Sequence, residues 1–232
     1  MTKNKRRNLT NKGFTLVELI IVLVILAILA AILTPTLLGY IDEAKTKRYL
    51  PNAQACMDAA RAAFVEQYAK NGEPKAGEPV IPDARKKSTA RGNNDQDISN
   101  TDFAKGILNY AGVKPYFFMV AVGSNSKDNP DNAYYIESTL HDKYTIYYGV
   151  YVETKGAKPL YFYNGEWSTA NPTAHEGTGE DAFNKWNVIR SGPLANKRLQ
   201  YYLIINQNTT GSANQQDITK ADFWNWLKAG CK

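Results

Sequence analysis

Few side chains in this 232-residue chain are of a type and spacing that could do chemistry, and the most telling is a lone carboxylate, Glu18. It lies in an otherwise uncharged apolar run that begins at Phe14 and continues to Ile41. A carboxylate inside such a run is costly in a membrane and is kept where it meets a partner, yet no basic residue follows it in the run. Cutting the chain between Gly13 and Phe14 would supply one, because it creates an α-amino group one helical turn before Glu18. That amine could come from a neighbouring copy, which makes Glu18 an assembly contact.

The other chemistry-bearing residues are sparse. His141 beside Asp142 and His175 beside Glu176 are the two histidines, and neither has a second His or Cys at metal-ligand spacing. Asp128, Asp131 and Asp142 lack the spacing of a known Ca²⁺ loop, and there is no phosphate-binding glycine loop, serine elbow or zinc-protease motif. The expectation is a chain with no catalytic residues, no metal and no cofactor. Cys56 and Cys231 sit far apart in the sequence. A disulfide between them and a pair of free buried thiols are both compatible with the sequence, since Cα distance is not readable from it.

These residues need elements to place them. From Phe14 to Leu33 is 20 residues, which as a helix reaches about 30 Å, the thickness of a bilayer's hydrocarbon core. Lys3, Lys5, Arg6, Arg7 and Lys12 precede it with no acidic residue, so the positive-inside bias keeps the N-terminus in the cytoplasm and sends the rest outward. The apolar stretch is longer than that of an ordinary signal peptide and has no small-residue cleavage site directly behind it. Those five charges account for most of the formal +6; the remaining 23 basic residues of the 28 face 22 acidic ones. The basicity therefore belongs to targeting and argues against a nucleic-acid surface in the remainder.

Lys12-Gly13-Phe14-Thr15-Leu16-Val17-Glu18 resembles the class III signal of type IV pilins and pseudopilins, over positions 1–50 or so and not beyond. The resemblance implies cleavage after Gly13 by prepilin peptidase, N-methylation of Phe14, and Glu18 registering subunits in a filament. Pro35 stands where such pilins commonly carry a helix-bending proline, and a proline there removes a backbone hydrogen bond. The implied partners are copies of the chain, other pilins, prepilin peptidase and the membrane assembly machinery. Implied too is a single-pass precursor that ends in a cell-surface pilus, with adhesion, twitching motility and protein secretion among the tasks of such fibres. The rival readings are a pseudopilin of a type II secretion or DNA-uptake system and, from another class, a monomeric membrane-anchored binding domain or enzyme.

The organisation expected is a leader over 1–13, a membrane or filament-core helix over 14–35, the amphipathic half of that helix over 36–71, and a head over 72–232. Ala53, Cys56, Met57, Ala60, Phe64 and Tyr68 recur at helical spacing and mark the face that packs on the head. Asn71-Gly72 ends the helix, and 73–94, with Arg85-Lys86-Lys87 and Arg91, reads as a connecting loop. Ser99 with Asp102 reads as a capping box for a helix that ends at Gly112. Strands are expected at 116–122, 133–137, 144–153, 160–163 and 199–206, and helices at 180–190 and 219–229. The fold class is α+β, a long helix packed on an antiparallel sheet. Gln96-Asp97-Ile98-Ser99-Asn100-Thr101-Asp102-Phe103 is echoed by Gln216-Asp217-Ile218-Thr219-Lys220-Ala221-Asp222-Phe223, which means either two sub-modules or one capping phrase used twice. The strand tyrosines, and Trp224 and Trp226, are expected in the core or an interface ahead of a sugar-binding face.

Overall fold

The computed structural model describes residues 14–72, 81, 95–123, 144–171, 199–208 and 221–232. Outside these fall the leader, the expected strand at 133–137 and helix at 180–190, Arg85-Lys86-Lys87 and Arg91, and the first residues of the helix expected at 219–229. By packing, the chain divides into two compact units at Lys45/Thr46.

The first unit contains the opening of α1 (Leu16–Asn71), a helix of 56 residues. Every side chain from Phe14 to Thr34 is exposed, as expected of an apolar surface without a protein partner. The backbone stays helical through Pro35 and Pro51. The hydroxyl of Thr34 donates to the carbonyl of Ala30 at 2.6 Å, a bond back onto the preceding turn of the kind that often bends a helix.

The second unit is a sheet covered on both faces. Its strands are β1 (Asp95–Asp97), β2 (Phe117–Gly123), β3 (Ile146–Val152), β4 (Leu160–Tyr163), β5 (Glu166–Ser168) and β6 (Leu199–Asn206), in the order β1-β6-β2-β3-β4-β5. All neighbours are antiparallel except β1, which runs parallel to β6 at one edge. β2 is buried along its whole length, which is why its sequence, Phe-Phe-Met-Val-Ala-Val-Gly, is continuously apolar instead of alternating.

Alternation decides which core each residue enters. Phe118, Val120 and Val122 of β2 join Tyr202 and Ile204 of β6 against α1 and α2 (Asp102–Ala111). Phe117, Met119 and Ala121 join Tyr148, Val150, Tyr201 and Leu203 against α3 (Ala221–Lys228). The expected face of α1 is the one used: Ala53, Cys56, Met57, Ala60 and Phe64 are buried. Tyr68, the last of that series, is exposed, with its ring 5.1 Å from that of Tyr144. Gly149 of β3 leaves room for Met57 of α1, since a Cβ there would stand 2.6 Å from the Cε atom at the tip of that flexible side chain, which would have to shift.

The cap of α2 differs from the expected one. Thr101 is the N-cap, accepting from the amide of Ala104 at 3.2 Å and donating to the carbonyl of Ile98 at 2.7 Å. The Ile98–Thr101 turn comes first, with the Thr101 amide bonded to the Ile98 carbonyl, so the helix starts two residues later than a cap at Ser99 would place it. Gly112, in the left-handed region, closes α2 as expected. At the other end of the chain α3 stops in a Schellman motif: the amide of Cys231 reaches the carbonyl of Trp226, and that of Gly230 reaches Leu227. Gly230 has φ of 76° and lies so close to the β3–β4 turn that a Cβ would collide with the carbonyl oxygen of Ala157.

The two cysteines are free, which answers the disulfide alternative. Cys56 belongs to the core under α1 and Cys231 to the core under α3. The two cores lie on opposite faces of the sheet, and no bridge joins the cysteines. Burial, with a smaller push from the negative charge of Glu153, raises the Cys56 thiol from 9.0 to about 12; burial does the same to Cys231 despite Lys155 nearby. Both folded values are raised, so this contribution to stability is complete below about pH 9 and is lost as the pH climbs from there toward about 12. The native chain is therefore expected to take up no iodoacetamide at about pH 8, and two equivalents once unfolded without a reductant. Mass spectrometry of the intact chain reads both; no uptake after unfolding would mean a bridge.

Candidate processing and assembly site

The sequence of α1's first turn builds a compact polar device at the start of an apolar helix. Phe14 and Thr15 precede the helix, and Leu16 is its first residue. Glu18 turns back on Thr15: its Oε2 atom accepts from the Thr15 amide at 2.9 Å and from the Thr15 hydroxyl at 2.7 Å. In return the Glu18 amide donates to the Thr15 hydroxyl oxygen at 3.3 Å. This is a capping box, with Thr15 at the N-cap and Glu18 three residues on, and it satisfies amides that no preceding turn can serve.

The device gives Glu18 a partner within its own chain. That partner was legible in the sequence, because Thr-x-x-Glu ahead of an apolar run is the signature of a capping box. The carboxylate also lies in the first helical turn, where a negative charge faces the positive end of the helix dipole. Only one of its oxygens is used: Oε1 receives no hydrogen bond from a described residue. Phe14 is 78% exposed, so the ring and backbone next to the expected scissile bond are open to solvent.

Gly13 lies outside the described residues, as do His141, His175, Asp128, Asp131 and Asp142. Pro35 is within α1, 17 residues after Glu18. Cys56 and Cys231 lie in the two cores of the second unit. The described strand tyrosines are largely core residues: Tyr148, Tyr151, Tyr161, Tyr201 and Tyr202 are buried, and so are Trp224 and Trp226.

The helix from Leu16 to Thr34 is long and apolar enough to cross a membrane, its 19 residues reaching about 28 Å. Residues 9–34 match the family model of the prokaryotic N-terminal methylation motif. Neither a curated protein nor a solved structure matches the chain. The chain thus opens on a type IV pilin-like methylation signal that runs directly into a helix of membrane-spanning length.

Proposed function

We propose that the chain is a structural subunit of a type IV pilus. It is made as a membrane precursor with the N-terminus in the cytoplasm, cut after Gly13 by prepilin peptidase, methylated on Phe14 and drawn into a surface filament with copies of itself and other pilins. The observation that carries this reading is the carboxylate of Glu18, set in the first turn of an exposed lipid-length helix with one oxygen held by Thr15 and the other open. The open oxygen can accept the Phe14 α-amine of a neighbour, a charge-assisted bond made away from water. The apolar surface of the helix then serves lipid first and other helices in the fibre second. The second unit coats the outside, and the reading assigns it no catalysis, metal or cofactor.

The test is mass spectrometry of the N-terminal peptide in material sheared from cells. The expected peptide starts at Phe14 and carries one extra methyl group. A processed, methylated peptide confined to membranes, with no sheared fibres, would point instead to a pseudopilin of a secretion or DNA-uptake system. An intact leader would leave a membrane-anchored domain.

A further inference from the structure

Two polar contacts grip α1 immediately after Pro51. On one side Asn52 donates from Nδ2 to both carboxylate oxygens of Glu153, at 3.0 and 3.2 Å, while the hydroxyl of Tyr151 donates to Oε2 of the same carboxylate. On the other side the indole of Trp167 in β5 donates to Oε1 of Gln54 at 3.0 Å. Successive helix residues are about 100° apart, so Asn52 and Gln54 straddle Ala53, which points into the core. The Tyr151 ring is fixed by Phe118 at 6.3 Å and Trp167 at 6.4 Å, which holds its hydroxyl on Glu153.

Three features make this spot unusual on α1. Pro51 contributes no N–H, so the turn it closes is one hydrogen bond short. Of the residues that meet the core around it, Tyr49 is only partly buried and Ala53 and Cys56 are small, so burial ahead of Met57, which lies over Gly149, holds the helix less firmly than at Met57 and Phe64. The carboxylate of Glu153 accepts three hydrogen bonds from two donors, and hydrogen bonds to a charged group are the stronger kind.

We propose that Asn52, Glu153 and Tyr151 form a latch that holds the weakly packed end of α1 on the sheet and fixes where the head begins to open when α1 is pulled. Load carried along α1 reaches Thr46, the first residue of the second unit, passes Tyr49, which packs partly buried against the core, and meets the latch before it meets the fully buried Cys56 and Met57. With the latch closed, strain stops at the turn before Asn52. With it open, α1 peels from the sheet toward Cys56 and Met57 while β2 and β6 stay paired. That mechanical role rests on the pilus reading, in which α1 is the part that is pulled; the latch itself does not.

The experiment is hydrogen exchange read by mass spectrometry on the full chain in detergent, with Asn52→Asp, Glu153→Gln and the double variant. Asn52→Asp sets a second carboxylate against Glu153 and is expected to speed exchange across 46–60 by about tenfold or more, with β2 and β6 unchanged. The double variant restores an amide–carboxylate pair with its polarity reversed and is expected to return exchange to near the parent rate. Unchanged exchange in Asn52→Asp, equal acceleration in β2 and β6, or no rescue in the double variant would each overturn the latch. The measurement is blind to filament formation, so the latch and the pilus reading fail separately.

Discussion

Glu18→Ala is expected to leave the precursor in the membrane at its normal level and to eliminate surface filaments. The apolar run that drives insertion, Leu16–Thr34, loses nothing it needs and sheds its one charge, so insertion is at least as favourable. On the pilus reading, assembly loses the acceptor for the neighbouring amine. Two companion variants separate charge from capping. Glu18→Gln retains a side chain able to close the box on Thr15 but carries no charge, and it is expected to fail in assembly like the alanine variant. Thr15→Ala removes the hydroxyl that accepts from the Glu18 amide and donates to Oε2, but keeps the carboxylate, and it is expected to assemble. Counts of filaments by electron microscopy, beside precursor levels in membranes, read all three. Normal filaments in Glu18→Ala would remove the assembly role from this residue.

The framework of the fold was written in the sequence because burial dictates side-chain type. The strands observed at Leu160–Tyr163 and Leu199–Asn206 coincide with those expected, and β2 and β3 lie within a residue or two, since all are apolar or aromatic runs bounded by turn residues. What escaped was set by tertiary pairing or by short signals. β1 is Asp-Gln-Asp, a sequence with no strand preference, and it exists because β6 offers an edge to pair with. β5 is three residues of exposed edge, yet Asn164-Gly165 before it, with φ of 51° and 87°, is the strongest short hairpin signal a sequence can carry. Among the described residues the sheet accordingly has six strands, four of them among the five expected, while the fifth, 133–137, lies outside those residues. The separation of the cysteines was not legible, because their positions depend on which face each helix covers. At the candidate site, Glu18 stood out by its charge, whereas Thr15 was passed over as one more residue of a motif although its hydroxyl and amide are what hold the carboxylate.

The repeated phrase gives the other large effect, because the phenylalanines that end its two copies serve opposite faces of the sheet. Phe103 enters α2 at its second residue and remains partly exposed, edge-on to Phe64 at 5.3 Å on the α1 side. Phe223 of α3 is fully buried on the other side, with ring centres 6.0 Å from Phe117, 5.2 Å from Trp224 and 5.9 Å from Trp226. Phe223→Ala removes the middle of that cluster and is expected to cost about 3–5 kcal/mol, a large share of the roughly 5–15 kcal/mol that holds a domain together. Phe103→Ala gives up a half-exposed ring and is expected to cost about 1–2 kcal/mol. The difference follows from partners, since α3 meets the sheet through its aromatic face, while α2 is capped at both ends by Thr101 and Gly112. Urea unfolding of the full chain in detergent, followed by tryptophan fluorescence, gives both midpoints. Equal losses would mean that the phrase does the same work twice; a much larger loss at Phe223 would mean that α3 is what closes the second core.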